Sequence, residues 1–108
     1  MREFTIIDAA DQKFTAIFGN RRATIRLRYS VFAKRWAIDL SIDDEPVMHG
    51  RRLVLNVDVL KTLSLGIGAI FIAAETDGAE PNRENLPGGL VRMYHATEEE
   101  VAAAAALA

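Results

Sequence analysis

The chain has 108 residues, 50% of them hydrophobic and 26% charged, with a formal net charge of −2. That length is enough for a hydrophobic core without staples, and the absence of cysteine excludes disulfides, thiolate metal sites and thiol catalysis, as is typical of a protein made inside a cell. No apolar run reaches the roughly 18 residues of a membrane span and the N-terminus lacks a signal-peptide pattern, so we expect a soluble, unprocessed protein.

The first half of the chain predicts β structure. A short strand is predicted at residues 2–7, closed by the turn-forming Asp8 and Asp11, and its partner is left open. Residues 14–41 then alternate apolar and polar, which is the period of strands with one buried face. This stretch predicts a three-stranded meander around which the domain is built.

The turns of the meander determine its register. Gly19-Asn20 is a two-residue turn of the kind that tight hairpins favour, and residues 30–35 form the second loop. The predicted cross-strand pairs are Phe18 with Arg21, Ala16 with Ala23, Phe14 with Ile25, Tyr29 with Trp36, Leu27 with Ile38, Ile25 with Leu40, and Arg26 with Asp39. Both registers put one apolar set on the buried face, because a slip of one residue would turn the whole set to water. The set comprises Phe14, Ala16, Phe18, Ile25, Leu27, Tyr29, Trp36, Ile38 and Leu40.

The middle of the chain is less regular. A turn is predicted at residues 43–46, followed by a brief returning strand at 47–49 that ends at Gly50. Residues 53–65 alternate irregularly and predict an extended segment that leads into a single helical turn at 58–63.

The last third combines two strands with a long loop. Residues 69–73 form a continuous apolar run, which predicts a strand buried on both faces. Residues 75–85 carry four acids, Gly78 and Pro81, and predict an exposed loop with a possible contact role. Pro87-Gly88-Gly89 predicts a sharp entry into a strand at 90–94, with both glycines free to take positive φ.

The C-terminal residues predict a helix. Thr97 and Glu100 have the spacing of a capping box, with Thr97 as the N-cap. The Ala-rich body is near the lower length limit of an isolated helix, so we expect it to fray unless a neighbouring subunit fixes it. The predicted fold is therefore mainly β, a small antiparallel barrel or sandwich at residues 1–96 with a short helical tail at 97–108.

The sequence offers no pattern for catalysis. His49 and His95 lack a second ligand at metal-binding spacing, and none of Ser30, Ser41 and Ser64 lies in a nucleophile motif. Gly66 and Gly68 lack the third glycine and the acid of a dinucleotide site. We therefore expect neither an enzyme, nor a metal site, nor a cofactor.

Charge is distributed unevenly along the chain. Residues 21–52 hold eight Lys or Arg against four acids, whereas residues 75–108 hold seven acids against two arginines. These stretches are either ordinary solvated faces or surfaces for electrostatic docking. Ten of the thirteen cations are arginine, which suits protein interfaces. The candidate interface residues are Arg26, Arg28, Arg51, Arg52 and Arg83.

Nucleic-acid binding is an alternative for a small β domain with an arginine-rich strand. Thr24, Arg26 and Arg28 share one face of the central strand, but base stacking would need aromatic side chains there, and the aromatic residues of the meander fall on the other face. The predicted register also sets Asp39 to neutralise Arg26. The facing pair Tyr29 and Trp36 is interpreted as core, with an interface anchor near the second loop as the alternative.

The order of motifs resembles the baseplate plug proteins of contractile-tailed phages, a family first recognised in the minimal baseplate of a cyanophage. The resemblance covers residues 3–95 and excludes the Ala-rich end. It rests on the Gly19-Asn20 hairpin, the strand Ile25-Arg26-Leu27-Arg28-Tyr29, Arg35-Trp36 before Ile38-Asp39-Leu40, Val47-Met48 before Gly50, and Leu86-Pro87-Gly88-Gly89-Leu90.

This resemblance implies a non-enzymatic structural protein in the tail baseplate of the virion, made in the host cytoplasm. It would contact hub, spike or tube proteins in several copies per tail and would plug or organise the centre of the baseplate. The expected partners are therefore baseplate proteins, with neither membrane nor nucleic acid among them.

Overall fold

A computed structural model describes residues 1–61, 63 and 65–107 and contains two antiparallel sheets with a C-terminal helix. The elements are β1 Arg2–Glu3, β2 Asp11–Phe18, β3 Arg21–Ser30, β4 Arg35–Ile42, β5 Glu45–Arg52, β6 Ala69–Ala74, α1 Asn85–Gly88, β7 Val91–Ala96 and α2 Glu98–Leu107. One sheet has the order β2-β3-β4-β5 and the other β1-β7-β6. The mainly β prediction is confirmed, and the two sheets are not closed into a barrel.

The meander has the predicted registers. Phe14 lies opposite Ile25 in the first hairpin, and Tyr29 lies opposite Trp36 in the second. Trp36 is fully buried and Tyr29 packs against the core, with their rings 5.4 Å apart at an edge-to-face angle. The interpretation of this pair as core residues is therefore confirmed.

The hydrophobic core lies between the two sheets. The central strand β3 contributes Ile25 and Leu27, which are fully buried, and β6 contributes Ile70 and Ile72 from the opposite sheet. On its other face β6 is only half-buried, where Phe71 packs against Tyr94. The expectation that this strand is buried on both faces is wrong, since its outer face has no covering layer.

Strand β5 is longer than predicted. Asp43 and Asp44 form the whole turn, both with positive φ, and the strand then continues through Arg51 and Arg52. Pro46 and Gly50 suggested breaks in the sequence, but β5 is an edge strand, where proline and bulges are tolerated. The register of β5 on β4 accordingly shifts twice.

The terminal strands pair over long sequence distances. Residues 2–3 of the predicted strand 2–7 pair with β7, and the amide of Phe4 donates to the carbonyl of Met93 at 2.9 Å. The predicted strand 90–94 is Val91–Ala96, and it is preceded by the unexpected helical turn α1, in which Leu86 is buried. Gly89 ends α1 with φ 88°, whereas Gly88 is helical, so only one of the two glycines takes positive φ.

The predicted helical turn at 58–63 consists of separate hydrogen-bonded turns. The amide of Leu63 donates to the carbonyl of Leu60 at 3.0 Å, and the Asp58 carboxylate accepts from Leu60 and Ile70. Thr62 within this turn, Ser64 and Ala108 lie outside the described residues.

Two local predictions near the C-terminus have different outcomes. The capping box is confirmed, because Thr97 and Glu100 exchange hydrogen bonds of 3.0 and 3.2 Å. The loop 75–85 is less free than expected, because the carbonyl of Asn82 accepts a 2.9 Å bond from the Trp36 indole. Among the described residues, this loop carbonyl is the hydrogen-bond partner of the buried indole nitrogen, which would otherwise be left unpaired in the core.

Gly68 is predicted to be irreplaceable. It has φ 94°, and an added Cβ would collide with the carbonyl oxygen of Ala96. We expect Gly68→Ala to lower the free energy of unfolding by about 3 kcal/mol or more, from backbone strain and overpacking together. Gly78→Ala is the matched control, since Gly78 has φ 79° but open space around it and should lose only about 1 kcal/mol. Urea unfolding of both variants measures the difference, and equal losses would contradict the steric explanation.

Candidate interaction surface

The outer face of the meander carries two of the predicted interface arginines. Arg26 binds Asp11 through two hydrogen bonds of 2.9 and 2.6 Å, and Arg28 binds Asp39 at 3.0 and 2.9 Å. The direct partner of Arg26 is therefore Asp11 and not Asp39, although Arg26 and Asp39 face each other in the register as predicted. The hydrogen bonds to Asp11 raise the pKa of Arg26 most, and the charge of Asp39 adds to this shift. The long arginine side chains reach diagonally instead, within the range that diagonal neighbours in a sheet allow.

A β-bulge places Asp39 at the centre of a polar cluster. Ile38 lies opposite Arg51 and Leu40 opposite Met48, so two residues of β5 lie opposite Asp39 alone. Both of them contact its carboxylate: the Gly50 amide donates at 2.7 Å, and His49 Nδ1 lies 3.2 Å away.

Hydrogen-bond donors around Asp39 stabilise its charged form. Burial raises the pKa of Asp39, but the hydrogen bonds from the Gly50 amide and Arg28 outweigh it and set the pKa below its usual range. Arg28 reaches Asp39 through Nη2 alone, and its Nε is buried without a hydrogen-bond partner within the described part of the chain.

A shallow groove of about 390 Å³ runs over this face. Asp39, His49 and Ser41 all line it, but no hydrogen bond joins Ser41 to His49 among the residues that the structure describes. An acid and a histidine are thus present without an activated nucleophile. Over the same residues, no group of three His, Cys, Asp or Glu side chains could hold a metal ion.

The other predicted interface arginines differ in their surroundings. Arg51 donates to the carbonyl of Val59 at 3.1 Å. Arg83 binds Asp8 at 2.7 Å, and its guanidinium lies 5.9 Å from the centre of the Trp36 ring. Arg52 is exposed, and its side chain has no partner in the described ranges. Four of the five arginines therefore contact the chain's own fold, and Arg52 is left available to another molecule.

The loop between β3 and β4 exposes an apolar surface that the sequence reasoning missed. Val31 is 77% exposed and Phe32 is fully exposed. Lys34 and Arg35 flank them, and neither cation has a side-chain partner in the part of the chain that is described. We call residues 31–35 the apolar tip. Two adjacent apolar residues inside a predicted turn were the signal that could have revealed it.

A second groove, of about 340 Å³, lies at the other end of β3, beside the Gly19-Asn20 turn. We call it the end groove. Its lining includes the buried Phe18, Ile67 and His95, with Glu98 and Glu99 at the start of α2. The His95 ring stacks on Phe18 with ring centres 3.9 Å apart, and its Nε2 lies 2.5 Å from the carbonyl oxygen of Ile67. These contacts give the groove a packed apolar floor beside an acidic wall.

The surfaces required by other partners can be compared with this arrangement. Phe14, Phe18, Tyr29 and Trp36 pack in or against the core, opposite the face that carries Arg26 and Arg28, so the arginine face of the meander has no aromatic side chain for stacking a base. Neither helix in the described residues is long and apolar enough to cross a membrane.

Comparison with known proteins gives one family. A family model described as cyanophage baseplate Pam3 plug gp18 matches residues 1–98 of the chain. This range spans both sheets and ends at the first residue of α2. A search of curated proteins finds no match.

The Asp39 cluster generates a prediction about stability. Asp39→Asn keeps an acceptor for Gly50 but removes the charge that Arg28 faces, so we expect a loss of about 1–3 kcal/mol in unfolding free energy at pH 7. Because the folded pKa of Asp39 is lowered, its contribution is full above its unfolded pKa of about 3.9 and is lost as the pH falls through the folded value. Denaturant unfolding from pH 7 to pH 3 should show the variant and the wild type converging at the acid end. Asp11→Asn, which removes an exposed partner of Arg26, should have the smaller effect, and a difference that does not vary with pH would contradict the assignment.

Proposed function

Because the chain belongs to the cyanophage baseplate plug family, whose model matches residues 1–98, we propose that it plugs or organises the centre of a contractile-tail baseplate. Family membership supports a structural role in the phage baseplate and association with other baseplate proteins. The observation that carries the proposal is the extent of the match, which covers every strand of the sandwich.

The proposed mechanism is mechanical. The protein acts as a rigid body that fills space on the tail axis and contacts hub, spike or tube proteins, and no chemical step is involved. A core shared by both sheets supports this role, since a closely packed sandwich resists deformation. The covered indole of Trp36 and the Arg83–Asp8 pair also fasten the long loop 75–85 to the body.

Contacts with neighbouring proteins are assigned to the groups that the fold leaves unpaired. Arg52 and the apolar tip have exposed side chains that no described residue engages. Val31 and Phe32 gain free energy by leaving water, whereas an exposed arginine or lysine can leave water at an interface where a partner's acceptor pairs with it. The proposed function also includes several copies of the chain per tail and its synthesis in the host cytoplasm.

Purified tailed particles provide the first test. Quantitative mass spectrometry should detect this chain at a low, fixed ratio to the tube and hub proteins, because a plug occupies one level of the tail. Its absence from intact particles would overturn the proposed function.

A charge reversal tests the contribution of Arg52. We expect Arg52→Glu to reduce incorporation into particles at least about tenfold, the effect of losing about 1.4 kcal/mol of binding energy, with an unchanged midpoint of thermal unfolding. Lys61→Glu is the matched control, since Lys61 is also exposed and has no side-chain partner among the described residues. Particles assembled with each variant in place of the wild-type chain are compared by mass spectrometry. Equal incorporation of both variants would show that Arg52 is not part of the interface.

A further inference from the structure

We propose that copies of this chain associate head to tail, with the apolar tip of one copy seated in the end groove of the next. This inference deepens the proposed function and rests on it for the place of assembly and for the presence of several copies in one tail. The occupant of the end groove is thus a second copy of the chain.

The tip has the chemistry of an anchor. Phe32 is fully exposed beside Val31, whereas the other large aromatic residues of the meander lie in or against the core. The turn itself does not require this side chain, because it is held by main-chain and polar bonds: the Lys34 amide donates to the Ser30 carbonyl at 2.7 Å, and the Ala33 amide donates to the Ser30 hydroxyl at 3.1 Å. A rigid turn therefore presents an aromatic ring to the surroundings, which is the usual composition of an interface anchor.

The end groove complements the tip in both polarity and charge. Its floor includes Phe18 and Ile67, which are 7% and 5% exposed. His95 stacks on the Phe18 ring and the Arg2 guanidinium lies 5.3 Å from the ring centre, so an inserted aromatic ring would contact only the apolar area that these groups leave exposed. Glu99 has no side-chain partner in the described part of the chain, and Glu98 accepts one bond of 3.1 Å, from the Gly68 amide. Arg21 also lines the groove, but its guanidinium donates to the carbonyl of Leu65 at 2.8 Å and lies 3.7 Å from the Asp43 carboxylate. Lys34 and Arg35 of an incoming tip have no side-chain partner among the described residues, so they can pair with Glu98 and Glu99.

The two surfaces lie at opposite ends of one strand. The tip follows Ser30, the last residue of β3, and the Gly19-Asn20 turn of the groove precedes Arg21, the first residue of β3. Ten residues of strand separate them by about 33 Å, so one copy cannot fill its own groove. The contact is therefore heterologous, and repeated copies form a ring if the rotation between them closes.

Pairing of two tips is the less favourable arrangement. A symmetric contact would bury Phe32 against its own equivalent, but it would also bring Lys34 and Arg35 of both copies together. Like charges facing each other across an interface suppress such a contact. Charge complementarity thus favours the head-to-tail contact over the symmetric one.

The test uses the purified full chain and two variants that each remove one side of the contact. Phe32→Asp alters the tip, and Asn20→Lys with Glu99→Lys alters the groove at exposed positions. By sedimentation velocity the wild type should form oligomers whose proportion rises with concentration, and each variant alone should associate at least about 30-fold more weakly. An equimolar mixture of the two variants should form dimers and nothing larger, because it retains one intact tip and one intact groove.

Several outcomes would overturn the inference. The inference is wrong if the wild type stays monomeric up to about 1 mM, a concentration at which a contact of about 4 kcal/mol would be half formed. It is also wrong if the mixture of variants does not dimerise, or if the tip variant associates as strongly as the wild type does. Val57→Asp, at a residue 48% exposed and away from both surfaces, is the matched control and should associate normally. Far-ultraviolet circular dichroism checks that every variant is folded.

The particle measurement separates this inference from the proposed function. A chain that is present in particles but does not self-associate leaves the baseplate role standing and removes the head-to-tail contact. A chain that forms head-to-tail oligomers but is absent from particles would leave the head-to-tail contact standing and would remove the baseplate role.

Discussion

The register of β3 is the constraint on which the rest of the structure depends. Its residues alternate so that Ile25 and Leu27 face the core while Arg26 and Arg28 face outward. A slip of one residue would expose two large apolar side chains, each losing about 1.5–3 kcal/mol of burial, and would bury two arginines away from their carboxylates. The position of the apolar tip at one end and of the end groove at the other follows from that single register.

The same register explains why the basic appearance of β3 does not make it a basic surface. Arg26 and Arg28 are paired with carboxylates of the neighbouring strands, Asp11 on β2 and Asp39 on β4. The pairs are diagonal because an arginine reaches beyond the residue directly opposite, which for Arg28 on β4 is Ala37. Other cations of the described residues have no side-chain partner, among them Lys34, Arg35 and Arg52 at strand ends and turns and Lys13 within β2.

Sequence reasoning succeeded where short-range patterns determine the structure and failed where distant residues do. The two-residue turn at Gly19-Asn20 and the strict alternation of β3 were sufficient for both registers of the meander. The pairing of β1 with β7 could not be found, because Arg2 and His95 are joined only by the folded topology. Gly50 was interpreted as a strand end, although its φ of 66° belongs to a bulge inside β5 that serves Asp39.

For the candidate site, too, short-range patterns were informative and contacts between distant residues were not predicted. Arginine content identified a class of interface residues, but ion pairing within the sheet, which engages Arg26 and Arg28, depends on side-chain reach rather than on spacing. The exposure of Phe32 was missed because residues 30–35 were predicted only as a loop, with no prediction for what their apolar side chains would contact. Phe32 lies in a hydrogen-bonded turn beyond the edge of both sheets, where no core residue can reach it.

The boundary of the family match bears on how the end groove is built. The match ends at Glu98, so Thr97, the N-cap of α2, belongs to the shared domain, whereas Glu99 and the five exposed alanines that follow Val101 extend beyond it. The helix body supplies little apolar area, so its order depends on the capping box at Thr97 and Glu100 rather than on packing against a sheet. The apolar floor of the groove, Phe18 and Ile67, lies within the shared domain, while its acidic wall straddles the boundary. If copies associate head to tail as proposed, a domain ending at the match would keep the floor that receives an aromatic ring and would lose Glu99, which is part of the charge that faces Lys34 and Arg35.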